Sequence, residues 1–389
     1  MTEELHALKR EARRLPSGDA KIEALERAIA LADQLGDLDT GFDLRDDLSD
    51  AANAWGRPEK ELVAFTWCLA QFDRDPERFS DWDHRLMWTY KRVLATLVAF
   101  PSIPLERIEA AFQDFKDRLE RSGKALNTHD EFRFRYALLR GDPAEIEETY
   151  RVFKRHSGAA DLDCRACQIH QDVRYQRFQN DDEAAVRAAQ PLFKRGAPSC
   201  NRVPHTTHAV VLLPLLRLER VSQAQQHHRD YPRIASDESF LPAIALHLEY
   251  LGYLNDLPKA LKLLERHLEW AFKTNDLDDR YGFLRAALPL LERLKRAGGT
   301  VHLRLPRDLP FARDNSEYDP ATLEAALRAE LERIAALFDA RNRNDYYMRR
   351  IAVDHALLER YSEPFVPPTS LETGDKQTVK KKKPRTGAN

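Results

Sequence analysis

The stretch LEYLGYLNDLPKALKLLERHLEW (248–270) is one helix, a two-residue polar turn and a second helix. The turn is Asn255-Asp256, and Ala260, Leu264 and His267 follow it at spacings of four, four and three residues. Those spacings place the three side chains on one face of the second helix. The same frame occurs earlier in the chain. Gly141-Asp142 leads to Ile146, Tyr150 and Phe153; Asn180-Asp181 leads to Ala185, Ala189 and Leu192; Glu219-Arg220 leads to Ala224, His228 and Tyr231. The turns therefore repeat at 39, 39 and 36 residues. A small residue at the first position (Ala185, Ala224, Ala260) lets the two helices of a pair approach closely, and the larger ones fill the gap to the next pair. A single pair leaves its apolar face uncovered, so neighbours must stack.

Working outward, RYALLRGDPAEIEETYRVF (135–153) is the next clearest copy, and 18–37, 42–72, 82–99 and 104–121 carry helical patterns in the N-terminal third. Leu-rich first helices, the polar turn and the Ala of the second helix resemble the tetratricopeptide repeat family, in frame over about 125–297 and more loosely before it. The repeats are longer than the family's 34 residues, and most first helices lack its Trp-Leu-Gly-Tyr pattern. The resemblance implies an all-α fold: a right-handed superhelical array, or α-solenoid, of antiparallel helical hairpins. The expected divisions are divergent repeats over 1–124, in-frame repeats over 125–299, a connection with capping helices over 300–361, and a disordered basic tail over 362–389. Gly298-Gly299 ends a helix, 300–318 is a Pro-punctuated connection with a short extended stretch, and Asp319-Pro320 opens a helix with Leu323, Leu327, Leu331, Ile334 and Leu337 on one face.

Composition narrows the function classes. The chain has 389 residues, 32% charged and 43% hydrophobic, with only 14 Gly. That profile excludes collagen-like and wholly disordered chains. No apolar run approaches the ~18 residues that a membrane helix requires, and MTEELHALKREARRL (1–15) has no signal-peptide core, so a cytoplasmic protein is expected. A net charge of -2 argues against a general nucleic-acid binder.

Three of the four cysteines, Cys164, Cys167 and Cys200, fall in one region with His205 close behind. Cys164 and Cys167 lie one turn apart at a helix start, while Cys200 and His205 lead into the next first helix of a pair. Successive first helices are neighbours in a stack, so the four groups can converge into a closed Cys3His shell for one structural zinc ion. His170 or His208 are alternative fourth ligands, and three reduced thiols are the alternative to any metal. Cys68 reads as a core thiol.

No phosphate loop, metalloprotease string or nucleophile elbow is present, so no enzyme is expected. The resemblance instead implies partner contacts along the concave face, from Arg135, His170, Arg174, Arg177, Thr206 and Glu249. The expected role is a scaffold or adaptor for a protein or peptide partner, with a peptide-sensing receptor as the alternative. A further alternative is weak nucleic-acid association through Lys380, Lys381, Lys382, Lys383 and Arg385 in the tail, where basic residues exceed acidic ones.

Overall fold

The computed structural model describes residues 2–158 and 162–361. The tail with Lys380, Lys381, Lys382, Lys383 and Arg385 lies outside them. The described chain is all-helical apart from one two-stranded ribbon. The N-terminal part runs α1 (Glu3–Arg14), α2 (Asp19–Leu35), α3 (Leu38–Ala54), α4 (Pro58–Arg74), α5 (Asp83–Ala99) and α6 (Leu105–Arg121). The central part runs α7 (Asn127–Arg140), α8 (Pro143–His156), α9 (Arg165–Phe178), α10 (Asp182–Ala189), α11 (His205–Val210), α12 (Leu212–Arg217), α13 (Val221–His228) and α14 (Tyr231–Ile234). It ends with α15 (Leu241–Leu254), α16 (Leu257–Lys273) and α17 (Leu277–Ala297). After the ribbon of β1 (Val301–His302) and β2 (Glu317–Tyr318), antiparallel with Val301 opposite Tyr318, come α18 (Pro320–Asn342) and α19 (Tyr346–Arg360).

The repeating turn has one physical form. The first residue of each frame turn is left-handed: Gly141 at φ 75°, Asn180 at 57°, Glu219 at 59° and Asn255 at 61°. That conformation ends the preceding helix, and Gly or Asn reaches it at little cost. In three of the four turns the next residue is an aspartate that caps the following helix: Asp142 accepts from the amides of Ala144 and Glu145, Asp181 from Ala184, and Asp256 from Lys259. Gly36-Asp37 repeats the arrangement between α2 and α3. Each turn thus stops one helix and starts the next within two or three residues.

Proline edits the repeat. The apolar run 205–218 reads as one helix in the sequence, but the structure divides it into α11 and α12 around Val211. Pro214 has no amide for the carbonyl of Val210, so the ladder is interrupted there. Pro191 likewise shortens α10, and Leu192 packs from a 3₁₀ turn. At the C-terminal end Asp319 caps α18 through Thr322. Leu323, Leu327, Leu331 and Ile334 are buried as expected, whereas Leu337 is 42% exposed and the adjacent Phe338 takes the core position.

Consecutive helices pack on one another, and one core runs from Val173 to Leu358 while a second joins α3 to α7. α15 and α17 approach tightly at Gly252, where a Cβ would stand 2.8 Å from the Leu290 amide nitrogen. The array also closes on itself. α17 packs against α5, and the Asn275 side-chain amide donates to the Gly56 carbonyl at 2.7 Å. At the α18–α19 turn, buried Arg341 donates to the carbonyls of Val98 and Phe100 at 3.0 and 3.2 Å, satisfying the end of α5. Asn344 donates to the Arg140 carbonyl at 2.8 Å, and Arg343 pairs with Glu106.

Candidate metal centre and inner basic face

The cysteines gather where the start of α9 meets the loop before α11. Cys164 is the N-cap of α9, and its Sγ accepts the amide of Cys167 at 3.4 Å. Cys164 Sγ lies 3.4 Å from Cys167 Sγ, which lies 3.7 Å from Cys200 Sγ. Cys200 is held in a tight loop: its amide donates to the Val203 carbonyl at 2.9 Å, and its Sγ accepts the Val203 amide at 3.4 Å. The three Sγ atoms all lie within 4.8 Å of one another, a spacing that can hold a metal ion. The contact with Cys167 holds the Cys200 thiol below its ordinary range, and the amides of Val203 and Arg202 add to that. The Cys167 thiol is pushed up by the same bond and by burial. Of the three thiols, Cys200 is the one whose surroundings favour the thiolate, the form that metals bind.

His205 is not brought into this cluster. Its Nδ1 lies 2.7 Å from the buried Asp230 carboxylate, which holds the ring toward α13 and α14. The two alternative ligands are engaged as well: His170 Nδ1 with Thr207 Oγ1 at 2.8 Å, and His208 Nδ1 with His227 Nδ1 at 2.7 Å. The set that could hold a metal ion among the described residues is therefore three sulfurs. Cys68 is buried in the second core, and burial raises its thiol.

The residues assigned to the concave face do converge, with one exception. The side chain of Gln171 on α9 donates to Glu131 on α7 at 3.1 Å, fixing the register of the two helices. One turn further along each helix stand Arg174 and Arg135, each in the other's field. Burial and then Arg135 pull the Arg174 guanidinium down to about 10. Burial, with Arg174, Arg135 and Arg202 around it, pulls His170 down to about 3, so its ring stays neutral. Arg177 reaches the buried Glu249 at 3.6 Å. Thr206 is the exception: its hydroxyl donates to the Arg202 carbonyl at 3.1 Å and serves the start of α11.

Two members of this face were missed in the sequence. Arg202 sits in the Cys200 loop, bonded to Ser239 Oγ at 3.0 Å with its guanidinium over the Phe240 ring. Arg350 projects from α19 between Tyr281 and Tyr346. Neither falls within the repeat frame. Only the proximity of Arg202 to Cys200 was a usable signal.

No protein-family model matches the chain, and no curated protein matches it at a significant level. No helix among the described residues is long and apolar enough to cross a membrane.

Proposed function

We propose that the chain is a non-catalytic, tetratricopeptide-like scaffold of the cytoplasm, built as a right-handed array of antiparallel hairpins, which binds a protein or peptide partner along its inner face. The observation that carries this reading is the set of inner arginines. Arg135 on α7 and Arg174 and Arg177 on α9 retain accessible surface although protein surrounds them. Guanidinium forks in such a setting suit recognition of an anionic group on a partner. Affinity capture from the native host tests it. The full chain is expected to retain a stoichiometric partner that the Arg135→Ala/Arg174→Ala form loses, and equal capture by both would refute the inner-face assignment.

The cysteine cluster supports a structural zinc ion. Cys164, Cys167 and Cys200 would supply three thiolates and fasten α9 to the loop before α11. Purified under reducing conditions, the protein is expected to carry about one equivalent of zinc. Cys167→Ser should lower that to a small fraction and reduce the thermal midpoint. A wild-type preparation without zinc removes the metal assignment.

A further inference from the structure

The three gathered sulfurs have a second chemistry open to them besides holding an ion. Cys167 is the middle one: its Sγ lies 3.4 Å from Cys164 Sγ and 3.7 Å from Cys200 Sγ. A disulfide sets its two sulfurs about 2.05 Å apart, so either bond at Cys167 needs a closure of less than about 2 Å. Both partners are held ready for it. Cys164 is the N-cap of α9, one helical turn before Cys167, and its Sγ accepts the Cys167 amide at 3.4 Å. Cys200 is fixed by Val203, whose carbonyl accepts its amide at 2.9 Å and whose amide donates to its Sγ at 3.4 Å.

Access separates these thiols from the fourth. Cys164, Cys167 and Cys200 are half-buried, whereas Cys68 is 3% exposed inside the second core, with its Sγ 3.7 Å from the Phe42 carbonyl. A small oxidant can therefore reach the cluster while Cys68 stays shielded. The two contacts of Cys167 also differ in reach. One lies within a single turn of α9, and the other joins α9 to a loop 33 residues further along the chain.

We propose that Cys164, Cys167 and Cys200 form a reversible thiol–disulfide site, oxidised by a hydroperoxide, in which Cys167 is the shared sulfur. One sulfur attacks a peroxide oxygen, and the O–O bond breaks. The departing oxygen leaves as water or an alcohol with the thiol proton, and the sulfur becomes a sulfenic acid. The neighbouring sulfur attacks that sulfenic sulfur, the S–O bond breaks, and the hydroxyl leaves as water with the second thiol proton. Two thiols have then lost two electrons to the peroxide. Where an ion held the sulfurs as thiolates, the two protons come from solvent and the ion loses two ligands. The third thiol lies beside the new bond, so exchange can pass Cys167 from one partner to the other. Bonded to Cys200, Cys167 fastens α9 covalently to the loop before α11; bonded to Cys164, it leaves that loop unlinked. The inference rests on the same cluster read above as a zinc site, and on the positions of its sulfurs alone.

The test is limited oxidation of the full chain with hydrogen peroxide, alkylation of the remaining thiols, and peptide mapping without reductant. Trypsin cuts after Arg165, Arg174, Arg195 and Arg202, so the three cysteines fall on three peptides and each linkage has its own mass. About one disulfide per chain is expected, from Cys167 to Cys200 or to Cys164, with Cys68 alkylated and dithiothreitol restoring all the thiols. Cys164→Ser should form only the Cys167–Cys200 link and Cys200→Ser only the Cys164–Cys167 link, while Cys167→Ser should lose the disulfide. The linkage map of the wild-type chain stands whether or not a variant folds. A wild-type chain that forms no disulfide, or goes straight to sulfinic acid, overturns the proposal. So does a Cys164–Cys200 link with Cys167 free, or a link to Cys68. A chain that keeps its zinc and resists peroxide sinks this inference alone. A zinc-free chain that still forms the disulfide upholds it and removes the metal reading.

Discussion

Gly141→Ala is expected to destabilise the protein by about 2–5 kcal/mol, far more than an ordinary surface change. Two costs combine. At φ 75° the backbone is left-handed, which charges a non-glycine residue about 1–2 kcal/mol. The new Cβ would also stand 2.1–2.3 Å from three ring atoms of Tyr346, at the start of α19. A rigid ring met that closely must swing away, and the contacts of α18 and α19 with Arg140 and the end of α5 loosen with it. Gly36→Ala separates the terms, because Gly36 has φ 64° and nothing within 4 Å of its hypothetical Cβ. Urea unfolding of the two variants should differ by more than about 1 kcal/mol, and adding Tyr346→Ala to Gly141→Ala should recover part of the loss. Equal midpoints would mean that Tyr346 yields freely and the contact is weak.

The second large effect lies in α3–α5. Glu61 is fully buried, and Arg92 answers it with Nε at 2.8 Å, while Thr96 Oγ1 donates to its other oxygen at 2.8 Å and Asn53 at 3.1 Å. Arg92 also bonds Ser49 Oγ at 2.9 Å and pairs with Asp50. Arg92→Met is expected to cost about 3–5 kcal/mol, because it leaves a buried carboxylate without its counter-charge. The double variant Glu61→Met/Arg92→Met should regain most of that loss, since desolvating the pair offsets much of its attraction. A double variant as unstable as the single one would show that the network contributes more than this charge balance. In the sequence, 80–93 gathers Trp82, Trp88, Tyr90, Lys91 and Arg92, an interleaving of aromatic and basic residues that reads either as an interface hot spot or as the large fillers of a hairpin. The structure uses Tyr90, Lys91 and Arg92 internally, Tyr90 bonding Asp114 at 2.7 Å and buried Lys91 donating to the Leu162 carbonyl, while Trp88 stays 42% exposed.

What could be read in advance was local. A Gly or Asn followed by Asp encodes both a left-handed stop and a cap, so the turns at 141, 180 and 255 are visible without coordinates. The Cys164–Cys167 spacing is visible for the same reason, being one turn of helix. Features that depend on accumulated curvature were not visible. Asn344 meets Arg140, 204 residues away, only because many small inter-helix rotations add up. The fourth-ligand assignment failed on a competitor of the same kind: Asp230, 25 residues beyond His205, is drawn to the imidazole by the folding of α13 and α14. Arg202 and Arg350 lie outside any repeat and reach the inner face through a loop and the final helix.

The return of the chain's far end onto its beginning alters how the molecule should come apart. In an open stack each unit touches only its neighbours, so melting can begin at an end and travel inward. Here the ends of α3, α5 and α7 are held by residues from 275 onward, so among the described helices this closure leaves only α1 and α2 outside it. Losing any unit between these ties breaks the circuit, and the helices from α3 onward should unfold as one cooperative body.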